Sequence, residues 1–164
     1  MEKAGIVAFA FGMPSTISSN QHILEIASRV ALSKNVPVYT QPDVGIFSPL
    51  VDVTYIQERP NKPSPTLRIA RMAVQWAIER QMHLLWIVAA KPHLWRAERD
   101  MREAVREARA DIAIGWCEDI DKFPERVWFC PESMQKRVRS RREWDKRENL
   151  LMRMPFFIYK RIAG

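Results

Sequence analysis

Apolar runs along the chain alternate with stretches in which apolar residues recur every three or four positions. Residues 5–11 and 84–90 are apolar without interruption, which is typical of central parallel strands covered on both faces. Shorter and more mixed runs predict further strands at residues 36–40, 53–57, 112–116 and 127–130. This alternation of strands and helices indicates an α/β layered fold with a mostly parallel sheet of five or six strands.

Four segments have the spacing of amphipathic helices. The first spans about residues 20–34, and the second begins with Ser64 as its capping residue and Pro65 in the first helical position. The third spans about residues 93–109. The fourth, about residues 132–152, starts acidic and becomes basic, as the helix dipole favours. Residues 41–52 join two strands without a helix, so they form either an irregular crossover or a loop over the site.

Composition and charge narrow the class of protein. The chain has 164 residues, of which 47% are hydrophobic and 27% charged, and its net charge is +7. That is enough for one domain with its own core, which excludes a disordered or collagen-like protein. The last part of the chain, residues 131–164, holds 10 Lys and Arg against 4 Asp and Glu. We therefore predict an α/β domain, residues 1–130, and a basic helical extension, residues 131–164, that packs on the domain or projects from it.

The apolar runs and the cysteines indicate the environment of the protein. No apolar run reaches the ~20 residues of a membrane span, and no cleavage site follows the apolar N-terminal run. We therefore expect a soluble, cytoplasmic protein. Cys117 and Cys130 have neither the spacing of a metal site nor that of a disulfide framework, which predicts two buried thiols and no metal.

A hydroxyl-rich loop follows the first predicted strand. In a parallel α/β sheet, ligands bind beyond the carboxyl ends of the strands, beside helix N termini. Gly12, Ser15, Ser18 and Asn20 lie in such a loop, which can offer N–H and O–H groups to an anion. The alternative is a cluster that only caps the helix. With a single glycine, the loop is neither a Walker loop nor a dinucleotide-binding G-x-G-x-x-G loop.

Two other strand ends carry polar residues. Glu58 ends the third strand and Thr66 lies near the start of the next helix, although a solvated loop with a helix cap is an alternative interpretation. After the fourth strand, Lys91 precedes His93 and Arg96, which are three residues apart and share one helix face. An imidazole and a guanidinium there suit a phosphate or carboxylate, and His93 suits acid–base catalysis. A structural cap is again the alternative.

One segment resembles a known family. Residues 87–97 form an apolar strand that runs into His-Leu-Trp-Arg-Ala, and this resembles the His-x-x-Arg-Ala hallmark of the YdcF–SanA–ElyC family of bacterial α/β proteins. Glu58, Thr66 and Ala70 resemble the second motif of that family, and Gly12 falls where the family has its opening glycine loop. The resemblance covers residues 5 to about 115.

The resemblance implies both a fold and a site. The fold is a Rossmann-like three-layer αβα sandwich, here with a C-terminal helical extension. The cleft is expected to be ringed by five residues: Gly12, Glu58, Thr66, His93 and Arg96. The family is associated with bacterial envelope processes and has no settled reaction. Two extra residues between Glu58 and Thr66, and Pro65 in place of the usual Asn, make this chain a divergent member.

The strand ends and the resemblance together predict a binding function. The predicted ligand is small and anionic, a nucleotide or another phosphorylated compound, and turnover of that ligand is left open. In this hypothesis the loop after the first strand donates hydrogen bonds to the anion and Arg96 neutralises it. His93 acts as acid or base, and Glu58 orients a ligand hydroxyl or activates water.

The basic extension suggests a different class of function. In the simplest interpretation its helix packs on the domain and displays a solvated basic side. Otherwise it binds an anionic membrane surface, a protein partner or nucleic acid phosphates without sequence specificity, mediates assembly into an oligomer, or extends over the rim of the site. A structural domain with a degenerate cleft is the third alternative.

Overall fold

A parallel sheet organises the part of the chain that the computed structural model describes, residues 3–58 and 64–163. The strands are β1 (Ala4–Ala8), β2 (Val38–Thr40), β3 (Val53–Tyr55), β4 (Leu84–Val88) and β5 (Ala113–Trp116). Within the described residues these five strands form one sheet in the order β3-β2-β1-β4-β5. Ile6 at the centre lies opposite Val38 on one side and Trp86 on the other. The strand order reverses between β1 and β4, where open α/β sheets bind their ligands.

Helices cover both faces of the sheet. The described residues contain five α-helices: α1 (Ser18–Lys34), α2 (Thr66–Glu79), α3 (Lys91–Ala108), α4 (Arg141–Arg153) and α5 (Phe156–Ala163). Because side chains alternate along a strand, Ile6 and Ala8 pack with α1 on one face, while Val7 packs with α2 and α3 on the other. The predicted Rossmann-like three-layer αβα sandwich with a C-terminal helical extension is confirmed.

The segment between β2 and β3 is an irregular crossover. It contains a short 3₁₀ helix, Pro42–Val44, and then continues without regular structure. Val44, Phe47 and Val51 are buried and join the core on the α1 face. These side chains therefore do the packing that a helix would otherwise do, and the start of the segment lies at the carboxyl end of β2.

The sixth predicted strand, residues 127–130, is not a strand. Pro124 precedes a 3₁₀ helix, Glu125–Trp128, in which Trp128 is fully buried. Its aromatic ring packs against Phe123 and His22 instead of adding to a sheet edge. Cys130 follows the turn, and both Cys117 and Cys130 are free and buried, as predicted.

The helix boundaries differ from the predictions where capping was misjudged. The fourth helix was expected from residue 132, but α4 begins at Arg141, after an irregular stretch that contains a 3₁₀ helix, Lys136–Val138. The cause is Ser140, whose hydroxyl oxygen accepts a hydrogen bond from Glu143 N at 3.3 Å, as in a helix-capping box. Helix α5 was not predicted at all.

Three helices also begin at residues other than those predicted. Helices α1 and α3 begin two residues before their predicted starts. Helix α2 begins at Thr66 with Pro65 as its capping residue, so the predicted cap at Ser64 is wrong. The Ser64 N–H instead donates to Glu58. Residues 59–63, which fall within the predicted loop between Glu58 and Thr66, lie outside the described residues.

The basic extension packs against the sheet domain. Leu151 of α4 and Tyr159 and Ala163 of α5 form an apolar cluster with Leu67 of α2. Glu103 of α3 accepts a hydrogen bond from Lys160 at 2.7 Å. Across the described parts of the chain, none of the helices has both the length and the apolar character needed to cross a membrane.

The capping of α4 gives a test of how the extension is held. We expect Ser140→Ala to lower the free energy of unfolding by about 1 kcal/mol, because the Glu143 N–H loses its acceptor. Chemical denaturation measures this change. Ser140→Asp restores an acceptor and should recover most of the loss, and an alanine variant as stable as the parent would contradict this role of Ser140.

Candidate functional site

A cavity of about 320 Å³ lies at the carboxyl ends of the central strands. Residues that follow β1, β2 and β4 line one side of it, as does the start of α2. The sheet domain supplies the following lining residues: Ala10, Phe11, Gly12, Gln41, Asp43, Ser64, Pro65, Thr66, Ile69, His93 and Arg96. The cavity therefore occupies the place where the strand order reverses.

The basic extension forms the other side of the cavity. Its lining residues come from the 3₁₀ segment, α4 and α5: Gln135, Arg137, Val138, Trp144, Arg147, Leu151, Tyr159, Ile162 and Ala163. Of the arrangements considered for the extension, the one over the rim of the site matches this geometry. The site is thus built from two parts of the sequence that are far apart.

His93 lies in the first turn of α3 and is only 5% exposed. Its Nε2 is 3.2 Å from the Thr66 hydroxyl, while Nδ1 has no hydrogen-bond partner among the described residues. Burial lowers the pKa of His93 well below its usual value, and the positive charges of Arg96, Arg137 and Arg147 lower it further. His93 is therefore neutral at pH 7.

Arg96 lies one turn further along α3 and is also 5% exposed. Its Nε is 2.9 Å from Glu148 Oε1 on α4, an ion pair whose angle is too poor for a hydrogen bond. The guanidinium also lies over the Trp144 ring, 5.3 Å from its centroid. Arg96 thus links the sheet domain to the extension while it lines the cavity.

Arg137 and Arg147 bring two more guanidiniums to the cavity. Burial, followed by repulsion from Arg147 and Arg96, lowers the pKa of Arg137 to about 10. Burial and Arg96 lower the pKa of Arg147 as well. Both shifts have the same meaning: three cations share a partly dehydrated space, so the potential in the cavity favours an anion.

Carboxylates lie at the β2 and β3 side of the cavity. Asp43 lines it directly, and burial together with the charge of Glu58 raises the Asp43 pKa. Glu58 is not among the described lining residues, but its Oε1 accepts hydrogen bonds from Ser64 N at 2.6 Å and from Gln41 Nε2 at 3.2 Å. Glu58 therefore positions two residues that do line the cavity.

Asn20 braces the loop after β1 without reaching the cavity. Its amide accepts a hydrogen bond from Phe11 N at 2.8 Å and donates to the carbonyl oxygens of Gly12 and Pro14, both at 3.1 Å. Gly12 has φ +101°, and a Cβ there would lie 2.7 Å from both Ser133 Oγ and Val138 Cγ2. Glycine at this position therefore allows the extension to lie against the loop.

The structure places three other predicted site residues away from the cavity, as far as the described residues show. Ser18 has its hydroxyl 3.1 Å from Cys130 Sγ, and Ser15 offers its carbonyl oxygen to Gln21. Lys91 forms an ion pair with Asp121 at 2.8 Å. Four of the predicted residues do line the cavity, namely Gly12, Thr66, His93 and Arg96.

Sequence reasoning missed Asp43, Trp144 and the two arginines of the extension as site residues. The charge of residues 131–164 was the available signal, but charge alone does not tell which side of a helix faces the domain. The centroid of the Trp144 ring lies 4.7 Å from the centroid of the Phe11 ring and 5.7 Å from that of the His93 ring. It packs the extension directly onto the site.

The fold and the cavity together define a class of protein. It is a Rossmann-like α/β protein in which a cavity lies at the strand-order reversal of a parallel sheet and is lined on its other side by the helices of the extension. In comparisons with known proteins, no family model matches the chain and no curated protein matches it.

The buried state of His93 gives a prediction for pH dependence. The unfolded imidazole has a pKa of about 6.5, and the folded value is lower, so the native state binds fewer protons below that pH. The part of the native stability that depends on neutral His93 is therefore fully present above about pH 6.5. It should fall by up to about 1.4 kcal/mol per pH unit below it.

The test compares unfolding free energies of the parent and His93→Gln between pH 7.5 and 5. The variant should show a weaker dependence on pH, whereas His83→Gln, which removes an exposed imidazole, should follow the parent. An imidazole resonance of His93 that titrates near pH 6.5 in the folded protein would show that this histidine is not held neutral.

Proposed function

We propose that this protein binds a small anionic ligand, a nucleotide or another phosphorylated compound, in the cavity between the sheet domain and the extension. One observation carries the proposal: Arg96, Arg137 and Arg147 line a single cavity of about 320 Å³. Guanidinium groups present paired donors that match phosphate oxygens. Among the described carboxylates, Glu148 is coupled to all three arginines, and Arg96 is also coupled to Asp100.

The state of His93 supports an acid–base role if the bound ligand is turned over. In the tautomer whose Nε2–H donates to the Thr66 hydroxyl oxygen, Nδ1 is the free acceptor and can take a proton, while Thr66 fixes the ring through the opposite nitrogen. Glu58 Oε1 already accepts two hydrogen bonds, which favours a positioning role over activation of water. The proposal therefore assigns binding to the arginines and any proton transfer to His93.

The resemblance to the YdcF–SanA–ElyC family stays part of the proposal. It is supported by the fact that four of the residues that carry it, Gly12, Thr66, His93 and Arg96, line one cavity. Glu58, another of these residues, is hydrogen-bonded to Ser64 beside them. A divergent member of that family with a small anionic ligand accounts for this grouping.

The alternative role of the extension as a basic surface receives less support. Arg137 and Arg147 line the cavity, and Arg141 is engaged by Asp145 and Glu125. Three of the ten Lys and Arg residues that suggested nucleic acid or anionic membranes are thus directed inward or paired. The same inward charge argues against a domain with a degenerate cleft.

Binding measurements test the proposal. With AMP as the probe in isothermal titration calorimetry at low ionic strength, we expect Arg137→Gln and Arg147→Gln each to weaken binding about tenfold or more, because each removes a charge-assisted contact to phosphate. These two positions are preferred over Arg96, whose loss would leave Glu148 buried without its cation.

Arg142→Gln is the matched control, because Arg142 is an exposed arginine of the same helix. It should bind AMP as the parent does. If the three variants bind AMP, ADP and inorganic phosphate equally well, the cavity is not the anion site. Salt-sensitive binding to anionic vesicles or duplex RNA that Arg142→Gln weakens and Arg137→Gln leaves intact would instead support the surface role of the extension.

A further inference from the structure

The polar groups of the cavity fall into two sets. Arg96 lies on α3, which follows β4, whereas Arg137 lies on the 3₁₀ segment and Arg147 on α4, so the arginines come from the end of β4 and from the extension. Asp43 lies just after β2, and the charge that perturbs it is Glu58. Because β1 lies between β2 and β4 in the sheet, Asp43 and Arg96 follow strands on opposite sides of β1. We call the part of the cavity beside Asp43 its acidic end and the part beside the arginines its basic end.

The acidic end is rigidly built. Gln41, which is 4% exposed, accepts a hydrogen bond from Ala10 N at 3.0 Å and donates to Glu58 at 3.2 Å. Glu58 in turn holds Ser64 N at 2.6 Å. This network joins the ends of β1 and β2 to the start of α2 and fixes the turn that carries Asp43. A carboxylate in that position accepts hydrogen bonds and repels an anion.

His93 also lines the cavity; it is more than nine-tenths buried, and its Nδ1 is unpartnered among the described residues. The cavity volume, about 320 Å³, is at the small end of the range for ligand sites, roughly 300–1,000 Å³. A ligand that satisfies this cavity is therefore compact. It has an anionic group on one side, and on the other it has neutral groups that donate hydrogen bonds.

We propose that the ligand is a phosphorylated sugar, either free or as the sugar phosphate of a mononucleotide, with its phosphate at the arginines and its hydroxyl groups at Asp43. This inference rests on the proposed function and narrows it. Hydroxyl groups donate to a carboxylate without bringing a second negative charge, and a site built to bind them rejects ligands that lack them.

Calorimetry with three probes tests the inference: inorganic phosphate, ribose 5-phosphate and AMP. The parent should bind both sugar phosphates at least tenfold more tightly than inorganic phosphate. Asp43→Asn should lose about tenfold in affinity for the two sugar phosphates and leave inorganic phosphate unchanged or slightly tighter. Asp52→Asn, at an exposed carboxylate before β3, is the matched control and should change nothing.

The outcomes separate this inference from the proposed function. If phosphate binds but ribose 5-phosphate binds no more tightly, or if Asp43→Asn weakens all three probes equally, the sugar site is wrong and the anion site stands. If the parent binds none of the probes, both are wrong. AMP and ribose 5-phosphate of equal affinity indicate a free sugar phosphate, and tighter AMP indicates a nucleotide. Asp43→Ser, checked by thermal unfolding, repeats the test with a shorter side chain.

Discussion

The burial of Trp144 against the sheet domain is the contact on which the site depends. Its ring is 3% exposed and packs on Phe11, on His93 and under the guanidinium of Arg96, while its indole N–H donates to the Pro92 carbonyl oxygen at 3.2 Å. Aromatic burial of this kind supplies most of the energy of such a contact, and the indole hydrogen bond adds direction. Without it, the strand ends would carry one wall of the cavity but not the other.

The same docking places opposing demands on the electrostatics. Bringing Arg96 and Glu148 out of water has a desolvation cost that their mutual attraction repays only in part, and their angle is not that of a good hydrogen bond. Arg137 and Arg147 add like charge to the same space. The apolar contacts of the extension must offset this cost. In the proposed function, this cost in stability is offset by a potential that an anionic ligand can use.

The sheet, and the site residues that were predicted and do line the cavity, could be derived from the sequence because their signals are local. Uninterrupted apolar runs mark β1 and β4. Residues that directly follow parallel strands lie at the same edge of the sheet, which is why Gly12, His93 and Arg96 could be predicted to lie together. The directions of the side chains of residues 132–140 could not be predicted from the sequence. Their path depends on Ser140 as a cap and on contacts with the Gly12 loop, which are far away in sequence, so the direction of Arg137 could not be derived from helical periodicity. The prediction of a sixth strand was wrong for a related reason, since a short apolar run does not distinguish an edge strand from a buried turn.

The hydrogen bonds between the Gly12 loop and the extension have a consequence for the order in which the protein is made. Met134 N donates to the Met13 carbonyl oxygen at 2.8 Å, and Ser133 Oγ accepts from Met13 N at 3.3 Å, across about 120 residues of sequence. A chain emerging from the ribosome therefore carries its sheet and the first wall of the cavity long before the extension that lines the other side is synthesised. Until the extension has been synthesised and has returned to that loop, the nascent protein has the strand ends but not the second wall of the cavity. The complete cavity thus forms only at a step that joins early and late parts of the sequence.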